Sequence, residues 1–160
     1  MEDSQKFIVF QVETEEYAIQ IRDVVSIEKV ENVTPIPHLP VYVKGIVKVR
    51  GELVPVLDVD HILYEKFTPA SDTVRLMVLQ TEVLEVGVVV NEAKEILEIP
   101  QESIKQVGLL AYQKTAYFTG IANLDSRLIT IIDSSKLVQS LEGIKEIQEF
   151  MKEQKDSSRQ

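Results

Sequence analysis

Residues 45–63 and 120–138 align without a gap, and this internal repeat constrains the fold more than any other feature of the chain. The first stretch reads GIVKVRGELVPVLDVDHIL and the second GIANLDSRLITIIDSSKLV. At an offset of 75, Gly45 meets Gly120, Ile46 meets Ile121, Leu53 meets Leu128 and Asp58 meets Asp133. A second block lies upstream at an offset of 69: Ile8-Val9-Phe10-Gln11 answers Met77-Val78-Leu79-Gln80, and residues 17–23 answer residues 86–92. Both blocks run in the same order. The chain therefore reads as two similar modules, residues 6–64 and 74–141, joined by a linker at 65–73 and followed by a C-terminal helix and tail at 142–160.

Each module is strand-rich. Residues 7–12 are apolar and full of β-formers, and Tyr17-Ala18-Ile19-Gln20-Ile21 alternates as a half-buried strand does. Residues 43–49 and 53–59 flank Arg50-Gly51, where glycine supplies the positive φ of a tight hairpin turn; the second module places Asp125-Ser126 there. Pro35, Pro37 and Pro40 remove ladder donors, so residues 34–40 are expected to form an extended loop. Short strands with regular turns predict an all-β fold: two pseudo-symmetric, five-stranded SH3-like barrels packed together. A short helical turn is expected after each module's last strand, at 60–63 and 134–138. Leu141, Ile144, Ile147, Phe150 and Met151 recur at helical spacing, predicting one amphipathic helix over about 140–152 and a frayed tail at 156–160.

Composition narrows the function. Of 160 residues, 44% are hydrophobic, enough to build a packed interior. No cysteine is present, which removes disulfides and thiolate metal sites. The polar, acidic start of the chain lacks the plan of a secretory signal, and no apolar run approaches the roughly 20 residues that cross a bilayer, so a soluble cytoplasmic protein without direct membrane insertion is expected. The formal net charge of −9 opposes binding to phosphate backbones, which sets nucleic acid aside as a partner.

Few residues suggest chemistry. Asp58 and Asp60 share a strand face beside His61, and a dispersed carboxylate site at Asp58, Asp60 and His61 is the enzymatic alternative. Asp58 recurs as Asp133, however, each ending a strand just before a helical turn, and capping that turn's free N–H groups is the simpler role. His38 and His61 lack a metal-ligand spacing. No phosphate-binding glycine loop and no nucleophile elbow occurs. No cofactor, metal or catalytic residue is assigned. Arg50 stands out instead, a rigid fork of donors at a hairpin tip, the kind of group that anchors protein interfaces.

The segment YVKGIVKVRGELVPVLDV at 42–59 resembles the signature of CheW-type chemotaxis coupling proteins, which reads roughly K-G-V-x-N-L-R-G, one variable residue, then apolar-P-V-apolar-D-L. Residues 7–12, 17–21, 24–30 and 34–37 fall in the family's order, and VGVVVN at 86–91 looks like its second-half strand. The resemblance spans about 6–141. It implies two SH3-like barrels and a non-catalytic adaptor in signal transduction. One face would pair with the regulatory domain of a CheA-type histidine kinase. Another would bind the cytoplasmic tip of methyl-accepting chemotaxis receptors, recruiting the protein to membrane receptor arrays. Lys44, Gly45, Arg50 and Gly51 match the functional motif directly, and Val24, Ile27 and Val30 occupy the receptor-facing strand. The chain departs from the family at two places: Lys48-Val49 replaces the usual N-L, and Ser26 stands where some members carry a glutamate.

Overall fold

The structure, a computed structural model, describes residues 4–106 and 116–158. In chain order, strands β1 (Ser4–Val12) and β2 (Glu15–Gln20) form a hairpin, and a 3-10 turn at Ile21–Asp23 leads to β3 (Val24–Glu28). Strands β4 (Val43–Val49) and β5 (Glu52–Asp58) form the next hairpin, followed by helix α1 (Val59–Tyr64). The second half repeats the plan with β6 (Arg75–Gln80), β7 (Glu85–Val90), β8 (Glu92–Pro100), β9 (Ile104–Gln106), β10 (Phe118–Leu124), β11 (Arg127–Ile132) and α2 (Ser134–Ser140), and α3 (Ile144–Ser158) ends it.

The strands make two sheets, one ordered β8-β1-β2-β11-β10-β9 and the other β3-β6-β7-β5-β4. The repeat is visible in the pairing itself. Val56 faces Gly87 across the parallel pair β5–β7, and their repeat partners Ile131 and Ala18 face each other across β11–β2. Both C-terminal hairpins also shift register at the repeat glycine, Gly45 in one and Gly120 in the other.

One expectation is corrected by the pairing. Among the described residues the pairing is that of two open sheets, not of closed five-stranded barrels: each sheet ends on strands paired on one side only. Strand pairing also crosses between the stretches 6–64 and 74–141. The β1–β2 hairpin lies with β8 and β11, whereas β6–β7 lies with β3 and β5. A parallel pair needs a long crossover between its strands, and both parallel pairs join strands from opposite halves of the sequence. The two halves are thereby interleaved.

Side-chain alternation explains the apolar run at β1. Phe7 and Val9 point into a small core inside the first sheet with Ala122, Ile129 and Ile131. The second sheet encloses the repeat partners of those residues, Leu76, Val78, Val47, Val54 and Val56. Between the sheets lies the main core, where Ile8, Phe10 and Ile19 meet Met77, Leu79 and Val88. Leu137 and Val138 from α2 and Ile147 and Met151 from α3 close it.

Both helical turns are capped as the sequence suggests. Asp58 accepts from the His61 amide and Asp133 from the Lys136 amide. The C-terminal helix expected over about 140–152 starts later and runs longer, as α3: Ser140 ends α2, which covers the expected turn at 134–138, and the chain turns at Gly143, whose φ of +87° favours glycine, before α3 begins. The backbone is helical through Ser158, so of the expected frayed tail only 159–160 lie outside the described residues.

Candidate functional site

The β4–β5 hairpin carries most of the residues singled out. A two-residue loop between right-twisted strands demands left-handed backbone at both positions, and Arg50 (φ +52°) and Gly51 (φ +85°) supply it. The turn thrusts Arg50 into solvent at the rim of a hollow of about 530 Å³ shared with Glu28, Glu31 and Leu76. Lys44 sits at the register shift of β4. Its Nζ lies 3.7 Å from Asp58 Oδ2, and it lines a neighbouring hollow of about 540 Å³ with Val30 and Val74. Segment 28–32 borders both hollows, so the fold brings Val30, Lys44 and Arg50 to one side of the second sheet.

The other residues separate. Gly45 is buried and presents no side chain; its role is to let the Thr34 backbone bond to Ile46, N to O at 2.8 and 2.9 Å. Val24 packs against the main core. Ile27 is 42% exposed and lines neither hollow. Its neighbour Val25, 43% exposed, was not singled out from the sequence; alternation along the edge strand β3 puts it on Ile27's face. Ser26 Oγ is buried without a partner.

The carboxylates are a structural cluster. Asp58 and Asp60 are completely buried. Asp58 accepts from the His61 amide (3.1 Å), the Thr68 amide (2.9 Å) and Thr68 Oγ1 (2.7 Å). Asp60 Oδ1 lies 2.8 Å from Thr68 Oγ1 and 2.5 Å from Asn91 Nδ2, while Asn91 Oδ1 accepts from the Glu13 amide. Burial first, then the Glu13 carboxyl, push Asp60 up to about 6, against the smaller opposing effect of Thr68 and Asn91. No face of either carboxylate opens to a substrate, so the enzymatic alternative gains no support. The cluster ties the linker to both halves through Thr68, and sequence spacing held no signal of it. His61 packs against Phe67 with the rings tilted, centroids 4.8 Å apart. Among the described residues no group of three or more histidines and acids is placed to hold a metal, and no helix is long and apolar enough to cross a membrane.

Comparison with known proteins places this architecture. The profile of the CheW-like domain family matches residues 6–142. The chain is 30% identical over 139 residues to the chemotaxis protein CheW of Klebsiella aerogenes, covering 86% of this chain and 84% of that one. It is also 30% identical over 135 residues to CheW of Bacillus subtilis, covering 84% and 86%. In three dimensions it is similar to the scaffolding protein TtCheW from Thermoanaerobacter tengcongensis, with a TM-score of 0.75, 28% identity, and coverage of 84% of this chain and 87% of that one. These relatives carry the names of chemotaxis and scaffolding proteins, not of enzymes. A match over most of the chain, a shared two-sheet fold and the KGxxxxRG hairpin together make this chain a member of the CheW-like domain family.

Proposed function

We propose that this protein is a non-catalytic chemotaxis adaptor that links the regulatory domain of a CheA-type histidine kinase to the cytoplasmic tip of methyl-accepting chemotaxis receptors. The observation that carries the reading is the family match over 6–142 together with an exposed Arg50 at a rigid hairpin tip. In this reading Lys44, Arg50 and the turn made by Gly51 face the kinase, with Gly45 shaping the strand beneath them. Val24, Ile27 and Val30 border the surface offered to the receptor helices, where an apolar stripe suits an amphipathic helix. Each sheet wraps its own small core, which supports reading the two as SH3-like modules with open strand pairing, and the pseudo-symmetry gives one scaffold two related surfaces. The protein works in the cytoplasm at membrane receptor arrays. It acts by geometry: receptor movement shifts the kinase's equilibrium by the difference in the assembly's affinity for the two states.

Titration calorimetry against a CheA regulatory domain tests this. Saturable one-to-one binding is expected, weakened by about 1–2 kcal/mol in Arg50→Ala with the fold unchanged. A folded protein that binds neither the kinase domain nor a receptor tip well above micromolar concentration overturns it.

A further inference from the structure

A third surface lies apart from the hairpin and β3. The proline loop, α1 and the α2–α3 turn enclose a groove of about 800 Å³, and none of the residues assigned above to kinase or receptor contact lines it. Its floor is apolar, with Leu39, Ile62 and Leu63 half-buried, and Val41 stands on it 61% exposed. Phe67, 58% exposed, extends the apolar surface by packing against His61 at the edge. Large side chains left this open mark an interaction site when they gather in one concavity.

The walls are held from both halves of the chain. Tyr42 donates its hydroxyl proton to the Glu142 carbonyl at 2.8 Å, and Gly143 packs so closely on Pro40 that a Cβ there would stand 2.7 Å from the proline Cγ. The groove is therefore preformed. Part of its rim, Gly143 and Glu146, lies beyond the stretch that matches the family profile.

Among the described residues the charge on the rim is one-signed: Glu65, Glu142 and Glu146 are exposed around it, and no described lysine or arginine lines it. Their field is felt within the groove: after burial, Glu146 and Glu142 are the next causes that push the Tyr42 phenol up to about 12. An apolar floor under a negative rim selects against nucleic acid and anionic membranes, and for a cation carried beside apolar side chains.

We propose that this groove docks a basic, apolar segment of a protein partner, one that sets Leu, Ile or Phe on Val41 and Ile62 and Lys or Arg against Glu142 and Glu146. On the function proposed above, the groove is separate from the residues assigned to kinase and receptor contact.

The test is panning of the full chain against a phage-displayed library of short random peptides, with counter-selection on the triple variant Val41→Asp/Glu142→Lys/Glu146→Lys. Enriched peptides are expected to pair Lys or Arg with large apolar residues. Their affinity should fall at least about tenfold on the triple variant and weaken as salt is raised. The milder Glu142→Gln/Glu146→Gln pair, all at exposed positions, separates loss of the site from loss of the fold. Thermal melting and kinase-domain binding, both unchanged in that pair, serve as controls. No enrichment, acidic enriched peptides, or peptides that bind wild type and both variants alike would overturn the proposal.

Discussion

Gly45 and Thr34 are in backbone contact: a Cβ on Gly45 would stand 2.1 Å from the Thr34 carbonyl oxygen. No side chain fits there, because backbone atoms cannot swing aside as a flexible side chain can. Gly51 meets nothing within 4 Å, although its φ is also left-handed. The two motif glycines therefore have different physical duties. Gly45→Ala is expected to cost about 3 kcal/mol or more, by combining a clash with backbone strain, and Gly51→Ala about 1 kcal/mol, by strain alone. Urea unfolding of both variants checks this, and equal losses would show that the close approach is not what requires Gly45.

Asp58 and Asp133 are repeat partners with unequal burdens. Asp133 caps α2 through the Lys136 amide at 2.9 Å. Asp58 caps α1, holds Thr68 twice and lies beside Lys44 Nζ. Asp133→Ala is expected to cost about 1 kcal/mol, the usual worth of a cap. Asp58→Ala should cost about 3 kcal/mol or more, since it strands buried donors and a half-buried lysine. Thermal melting of the two variants orders them, and a larger loss for Asp133→Ala would contradict the assignment.

Asp60 makes stability depend on pH in the direction opposite to most carboxylates. Its folded pKa of about 6 lies above the ordinary value of 3.8. Between those values the folded protein holds a proton that the unfolded chain has released, so stability from this group falls as pH rises from about 4 to 6 and is level above that. Asp60→Asn keeps an acceptor for Asn91 and Thr68 and carries no charge. It is expected to flatten that slope and to raise stability at pH 7 by about 1–3 kcal/mol. Unfolding midpoints at pH 4, 5, 6 and 7 read the effect, and parallel curves for variant and wild type would remove Asp60 as its source.

Ile147 is fully buried in the main core although α3 begins beyond the stretch matched by the family profile. The helix is thus a structural member, not an appended tail. Ile147→Ala is expected to destabilise the whole fold by about 2–5 kcal/mol. Hydrogen exchange should then show amides of β1 and β7 opening together with α3. Loss of protection confined to α3 would make the helix a separable cover.

The sequence alone carried most of the strands, the hairpin at Arg50-Gly51, the two capped turns and the family, but not β8 or β9. Each is written in short-range terms: alternation over a few residues, a turn dipeptide, an aspartate before a helical turn, a contiguous motif. It also revealed the duplication, because repeat partners such as Phe7 with Leu76 and Ile131 with Val56 occupy equivalent places in the two small cores. How the halves combine is settled in three dimensions. Nothing in residues 15–20 states that β2 will pair in parallel with a strand more than a hundred residues away, since either edge of a strand offers the same backbone donors and acceptors. The break at Gly143 was hidden for a similar reason: the helical apolar spacing continues across it, and the turn is set by packing on Pro40. The polar cluster joining Glu13, Asp60, Thr68 and Asn91 draws on four separate segments, so its partners met only when the sheets closed on the linker. Local pattern chose the elements; burial of their shared faces chose the partners.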